Sequence, residues 1–238
     1  MLDKLKSIKD KVKHCLDNSK VSEVLNKKCV LWNNVREFFE TSLGLAADKM
    51  VKIGVSANFV SIIGFVIGIF AVNFLSLERY GYALICILLN RLFDALDGAI
   101  AKKTAVTNFG VFLDATLDYI FYAGVIFGFA LANPPQNAIA AAFFLFAFAA
   151  AACAMLAYAV IAYKNNPSTI VEIGQSPFYL GGFAQGSETL LALIVLCIVP
   201  GWFLQIALVL GILCLVKAFS IMATAYYNFV IAERKKNQ

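Results

Sequence analysis

Long apolar stretches recur along this chain, and they restrict it to one kind of fold. A helix that crosses a hydrocarbon core needs about 20 predominantly apolar residues, and in lipid the backbone polar groups must be satisfied within the segment itself. The sequence therefore predicts an all-α polytopic membrane protein with six transmembrane helices. They are expected over roughly residues 58–77, 80–101, 109–131, 138–163, 187–199 and 202–231. Pro134 and Pro135 end the third, because proline cannot continue a helix. The fifth is short for a span unless residues 181–186 add an end buried in protein, and the sixth is long enough to tilt. With 61% hydrophobic and 15% charged residues, an ordinary soluble domain is excluded.

Charge divides the chain into three parts. Of the 20 basic residues, 11 precede Ile53, beside 7 of the 15 acids. Residues 1–52 also place Leu2, Leu5, Ile8, Val12 and Leu16, then Val24, Leu25, Trp32, Val35, Phe38 and Phe39, at helical spacing among the charges. This predicts amphipathic interfacial helices lying on the membrane. Residues 53–232 form the membrane domain and 233–238 a basic tail. The basic excess in a tail points to a lipid surface and away from nucleic acid. Six spans put both termini on one side, together with Lys102, Lys103 and Lys164, whereas the opposite loops hold only Arg79. The positive-inside rule then places both termini in the cytoplasm, of the inner membrane if the source is bacterial. No early apolar core precedes a small-residue cleavage site, so a removable signal peptide is not expected. The six cysteines lack metal or redox spacing, and the only histidine is His14, which argues against a zinc or disulfide framework.

Four aspartates break the apolar pattern within residues 94–118. Asp94 and Asp97 are three apart, and Asp114 and Asp118 four apart, so each pair faces one way on its helix. Carboxylates in apolar helices cost several kcal/mol unless paired or metal-bound. A metal-dependent enzyme, an ion pathway and a structural network with Arg91, Lys102 and Lys103 all answer that cost. The network fits poorly, since Arg91 cannot neutralise four carboxylates. An ion pathway would spread its carboxylates across the membrane depth, yet these all lie toward the cytoplasmic end. A site for hard divalent cations fits best.

Glycines complete a longer pattern, Asp94-x2-Asp97-Gly98-x2-Ala101-Lys102-x7-Gly110-x3-Asp114-x3-Asp118. It resembles the signature of the CDP-alcohol phosphatidyltransferases, and the six-span layout extends the resemblance over residues 45–232. In that family Arg is usual where this chain has Lys102, and many members have eight residues where seven separate Lys102 from Gly110. Lysine keeps the charge but loses the two-pronged grip on phosphate oxygens. The segments NRLFDALDG and FYLGGFAQGSETL are similar to a bacterial branch of the family.

The resemblance implies transfer of a substituted phosphate from a CDP-linked lipid donor, usually CDP-diacylglycerol, to an alcohol acceptor, with release of CMP. It implies that Asp94, Asp97 and Asp114 hold two divalent ions, Mg2+ or Mn2+, and that Asp118 completes the metal site and acts as general base. Gly98, Ala101, Lys102 and Gly110 would line the cytidine-diphosphate pocket, together with Asn58, which occupies the place of a family asparagine. The active site would face the cytoplasm. Contacts to the acceptor or its phosphate are sought at Arg91, Lys103, Lys164, Glu188 and Lys217, although so few cations suit a strongly anionic acceptor poorly. The family implies a homodimer, which the GxxxG spacings Gly64/Gly68 and Gly124/Gly128 permit. A non-catalytic lipid-nucleotide-binding paralogue and a carboxylate-dependent ion transporter are the alternatives.

Overall fold

The computed structural model describes residues 41–165 and 187–231, in which every regular element is helical. The amphipathic pattern before residue 41, the connection over 166–186 and the basic tail lie outside the described residues. In chain order the elements are α1 (residues 41–52), α2 (Ala57–Ser76), α3 (Tyr80–Lys103), α4 (Asn108–Ala132), α5 (Pro134–Asn165), α6 (Ser187–Ile198) and α7 (Phe203–Tyr226). A short 3-10 turn, Pro200–Trp202, leads into α7, and a π turn, Tyr227–Ile231, continues it.

The turns follow from local chemistry. At the end of α2 the Arg79 and Glu78 amides donate to the Phe74 and Leu75 carbonyls at 2.8 and 2.9 Å. These two bonds form a Schellman cap, with Glu78 in the left-handed position at φ 57°. The same pair of bonds closes α1, where Gly54 holds that position at φ 82°. Pro134 and Pro135 separate α4 from α5, but α5 begins at Pro134 itself, earlier than the expected residue 138. The first helical positions lack an intrahelical partner for their N–H, so proline loses nothing there.

Two compact units are present. In the first, residues 41–57 and 95–107, Lys103 Nζ donates to the Gly44 carbonyl at 2.8 Å and pairs with Asp48 at 2.6 Å. In the second, residues 58–94, 108–165 and 187–231, α5 packs along α7 and α4 packs on α5. Its core holds Leu75, Ile87, Phe121, Phe129, Phe144, Leu193 and Phe203. Gly64 and Gly68 of α2 lie so close to α3 and α4 that an added Cβ would stand 2.7 Å from Phe93 Cβ and Phe121 Cδ2. Gly124 and Gly128 likewise pack against Val72 and Leu75. Both glycine spacings are therefore used for packing within the chain.

Four of the described helices, α2, α4, α5 and α7, are long and apolar enough to cross a membrane. The six-span expectation exceeds that count for two different reasons. α3 has the length but carries Arg91, Asp94, Asp97 and its terminal lysines. α6 is apolar but has 12 residues, a rise of about 18 Å against a core of about 30 Å.

Candidate active site

α3 presents Asp94 and Asp97 one turn apart, and α4 presents Asp114 and Asp118 in the same way. Asp94 and Asp114 bring carboxylate oxygens within 4.8 Å of each other, and Asp97 follows Asp94 one turn further along α3. Asp97 is buried at 6% exposure, Asp94 is half-buried and Asp114 exposed. Carboxylates this close repel one another unless a cation or a proton intervenes. Hard oxygen donors of this kind suit a divalent cation such as Mg2+, Mn2+ or Ca2+.

Asp118 stands beside Asp94 and Asp114, on Arg91. Arg91 Nη2 donates to Asp118 Oδ1 at 2.6 Å, while Nη1 reaches Asp94 Oδ2 at 3.4 Å and the Tyr122 hydroxyl at 3.5 Å. The same guanidinium donates from Nε and Nη2 to Asn90 Oδ1 at 2.9 and 2.7 Å. It also lies 4.8 Å from the Phe121 ring centre and 5.2 Å from that of Tyr122, within cation–π range. Asn90 is buried and donates to the Gly64 carbonyl at 2.9 Å, a bond that depends on the close approach of α2. Arg91 thus ties the acid-bearing faces of α3 and α4 together. Its side chain is only 13% exposed, so the guanidinium is shielded from water while the two carboxylates are about a third exposed, at 34% and 35%.

The other sequence-derived residues take varied places. Gly98 meets no neighbour within 4 Å of a built Cβ, so tight packing does not account for its lack of a side chain. Ala101 and Gly110 are half-buried, Lys102 is exposed, and Asn58 is half-buried as the second residue of α2. Lys103 is engaged by Asp48 and Gly44, which leaves it out of the structural network weighed for the aspartates. Lys164 is exposed near the end of α5, Lys217 is buried at 3% in α7, and the Glu188 side chain lies outside the description. The sequence reading passed over Asn90, Tyr119, Tyr122 and Phe148. Asn90 had a signal, a primary amide next to Arg91 in an apolar helix. Tyr122 had a weaker one, being one turn beyond Asp118.

A small cavity of about 130 Å³ opens beside Asp118, lined also by Ala115, Tyr119, Tyr122 and Phe148. The site therefore combines a cation-suited carboxylate group, a carboxylate oriented by a guanidinium, and a pocket next to the latter. That arrangement suits binding a phosphate ester through a cation while a hydroxyl gives up its proton.

Comparison with known proteins agrees with this chemistry. A family model described as CDP-alcohol phosphatidyltransferase matches residues 54–227. The chain is 41% identical over 184 residues to inner membrane protein YnjF of Escherichia coli, covering 77% of this chain and 89% of that protein. It is 39% identical over 100 residues to the archaetidylinositol phosphate synthase of Pyrococcus horikoshii, covering 42% of this chain and 53% of that one. The same fold is found in the crystal structure of a Mycobacterium tuberculosis phosphatidylinositol phosphate synthase with CDP-DAG bound. That match has a TM-score of 0.58 at 17% identity and covers 77% of this chain and 93% of the other.

Proposed function

Because this integral membrane chain belongs to the CDP-alcohol phosphatidyltransferase family, we propose that it moves a phosphatidyl group from CDP-diacylglycerol to an alcohol and releases CMP. The observation that carries the proposal is the convergence of the Asp94 and Asp114 carboxylates in a protein otherwise built from apolar helices. The CDP-DAG held by the Mycobacterium synthase of the same fold supports the choice of donor.

Under this proposal Asp94, Asp97 and Asp114 hold two divalent ions, Mg2+ or Mn2+, with Asp118 completing the site. Bound there, the cations offset the diphosphate charge and stabilise the leaving CMP. Asp118 accepts the proton of the acceptor hydroxyl. The acceptor oxygen bonds to the phosphatidyl phosphorus, the bond from that phosphorus to the CMP oxygen breaks, and its electron pair leaves with CMP. Arg91 keeps Asp118 in position through Oδ1. Gly98, with nothing within 4 Å of a built Cβ, lets the cytidine diphosphate approach the α3 backbone in this reading, and the family resemblance gives Ala101, Lys102, Gly110 and Asn58 contacts to the same group.

Residues 53–232 constitute the transferase domain in this reading. The site and both termini face the cytoplasm, which the distribution of lysine and arginine supports. A homodimer is proposed on the family resemblance, with an interface away from the glycine faces spent inside the chain. Purified protein supplied with CDP-diacylglycerol, Mn2+ and a panel of alcohols should release CMP and form a new phospholipid. Ion flux in vesicles, without stabilisation by CDP plus Mn2+, would replace this reading with that of a transporter.

A further inference from the structure

The cavity beside Asp118 is small and has a distinctive lining. At about 130 Å³ it is well below the roughly 300–1,000 Å³ of pockets that hold drug-sized ligands. Tyr119, Tyr122, Phe148 and Ala115 surround the carboxylate, and the Tyr119 and Phe148 rings stand 5.5 Å apart. The only polar side-chain groups among these residues are the carboxylate and the two phenol hydroxyls.

Among the described residues, cations are scarce around it. Arg91 is the one basic residue in contact with Asp118 and Tyr122 among the described residues, and its donors are spread over Asp94, Asp118 and Asn90. From Asn108 to Ile231 the sequence contains only two other basic residues, Lys164 and Lys217, so the connection over 166–186 adds none. Lys164 lies exposed near the far end of α5 from its start at Pro134, and Lys217 is buried in α7; neither lines the cavity. A second phosphate, carried by the acceptor, would enter a space that already holds a carboxylate. Among the described residues that line the cavity it would find no guanidinium or ammonium, and burying an anion without a partner is strongly unfavourable.

Resting on the proposed transfer reaction, we infer that the cavity lined by Asp118, Tyr119, Tyr122, Phe148 and Ala115 is the acceptor site, and that its acceptor is a small uncharged alcohol and not a phosphorylated one. The hydroxyl to be phosphatidylated lies against Asp118, the remaining hydroxyls bond to the tyrosine phenols, and the carbon skeleton packs on Phe148. The transfer step is unchanged, with the acceptor proton passing to Asp118 and CMP leaving with the electron pair.

The test measures kcat/KM for paired acceptors, glycerol against glycerol 3-phosphate and inositol against inositol 1-phosphate, with purified full-length protein, CDP-diacylglycerol and Mn2+. At least one uncharged alcohol should exceed its phosphorylated counterpart by roughly tenfold or more. Ala115→Leu narrows the cavity from an exposed position on α4, where folding tolerates it. It should raise the acceptor KM several-fold and leave thermal stabilisation by CDP plus Mn2+ intact. Preference for the phosphorylated partner in both pairs overturns the inference and leaves the phosphatidyl transfer standing. An Ala115→Leu protein with unchanged acceptor KM overturns the placement of the site. Absence of CMP release with every alcohol overturns the inference together with the reaction it rests on.

Discussion

Arg91 is the residue on which the acidic pairs depend. It spans Asp94 and Asp118 and is itself held by Asn90 and two aromatic rings. A lysine keeps the charge but cannot reach three acceptors in one plane. Arg91→Lys should therefore lower kcat with little change in donor KM, as measured by CMP release over a range of CDP-diacylglycerol. Asp118→Asn removes the proposed proton acceptor and should cost about 10² to 10⁴-fold in kcat in the same assay. The aspartates could be read from the sequence because carboxylates in apolar helices demand a compensating partner. Arg91 could not be assigned, because its bond to Asp118 depends on how α3 and α4 rotate against each other. Gly68 is a further case: its spacing from Gly64 suits close helix packing of any kind, and the Phe121 ring at 2.7 Å from a built Cβ shows that α2 packs there against α4. Gly68→Ala should lower stability by about 1–3 kcal/mol, visible as a reduced Tm.

The helices themselves were legible from apolar length and turn chemistry. The expected start at residue 80 and the stop before Pro134 match α3 and α4. α5 starts at Pro134, ahead of the expected residue 138, because proline ends a preceding helix and also suits a first helical turn. Glu78 illustrates a conformation that no periodicity reveals. It occupies the left-handed position of a Schellman cap that the end of α1 gives to Gly54, and a side chain there costs about 1–2 kcal/mol. Glu78→Gly should accordingly raise stability by up to about 1 kcal/mol, read from thermal unfolding in detergent. An unchanged or lowered Tm would show that the Glu78 side chain offsets its backbone strain.

At the scale of the whole molecule, exposed apolar side chains dominate the helix surfaces, as with Phe59, Ile62, Val66, Ile69 and Phe70 along α2. A surface of this kind belongs in lipid. The membrane class was legible because hydropathy reports it directly, whereas span number was not, since length and charge disagree for α3 and α6. The proposed orientation can be tested with cysteines introduced singly into a cysteine-free protein. Val106→Cys should react with an impermeant thiol reagent from the cytoplasmic face and Glu78→Cys from the opposite face. Labelling of both from one side would contradict that orientation. The most direct test of the central claim is the rate of CMP release from CDP-diacylglycerol as Mn2+ is titrated into wild-type and Asp97→Ala protein. The account predicts a wild-type rate that requires the ion and a loss of about 10² to 10⁴-fold in the variant at saturating Mn2+; a wild-type rate independent of divalent ion, or full activity in Asp97→Ala, would contradict it.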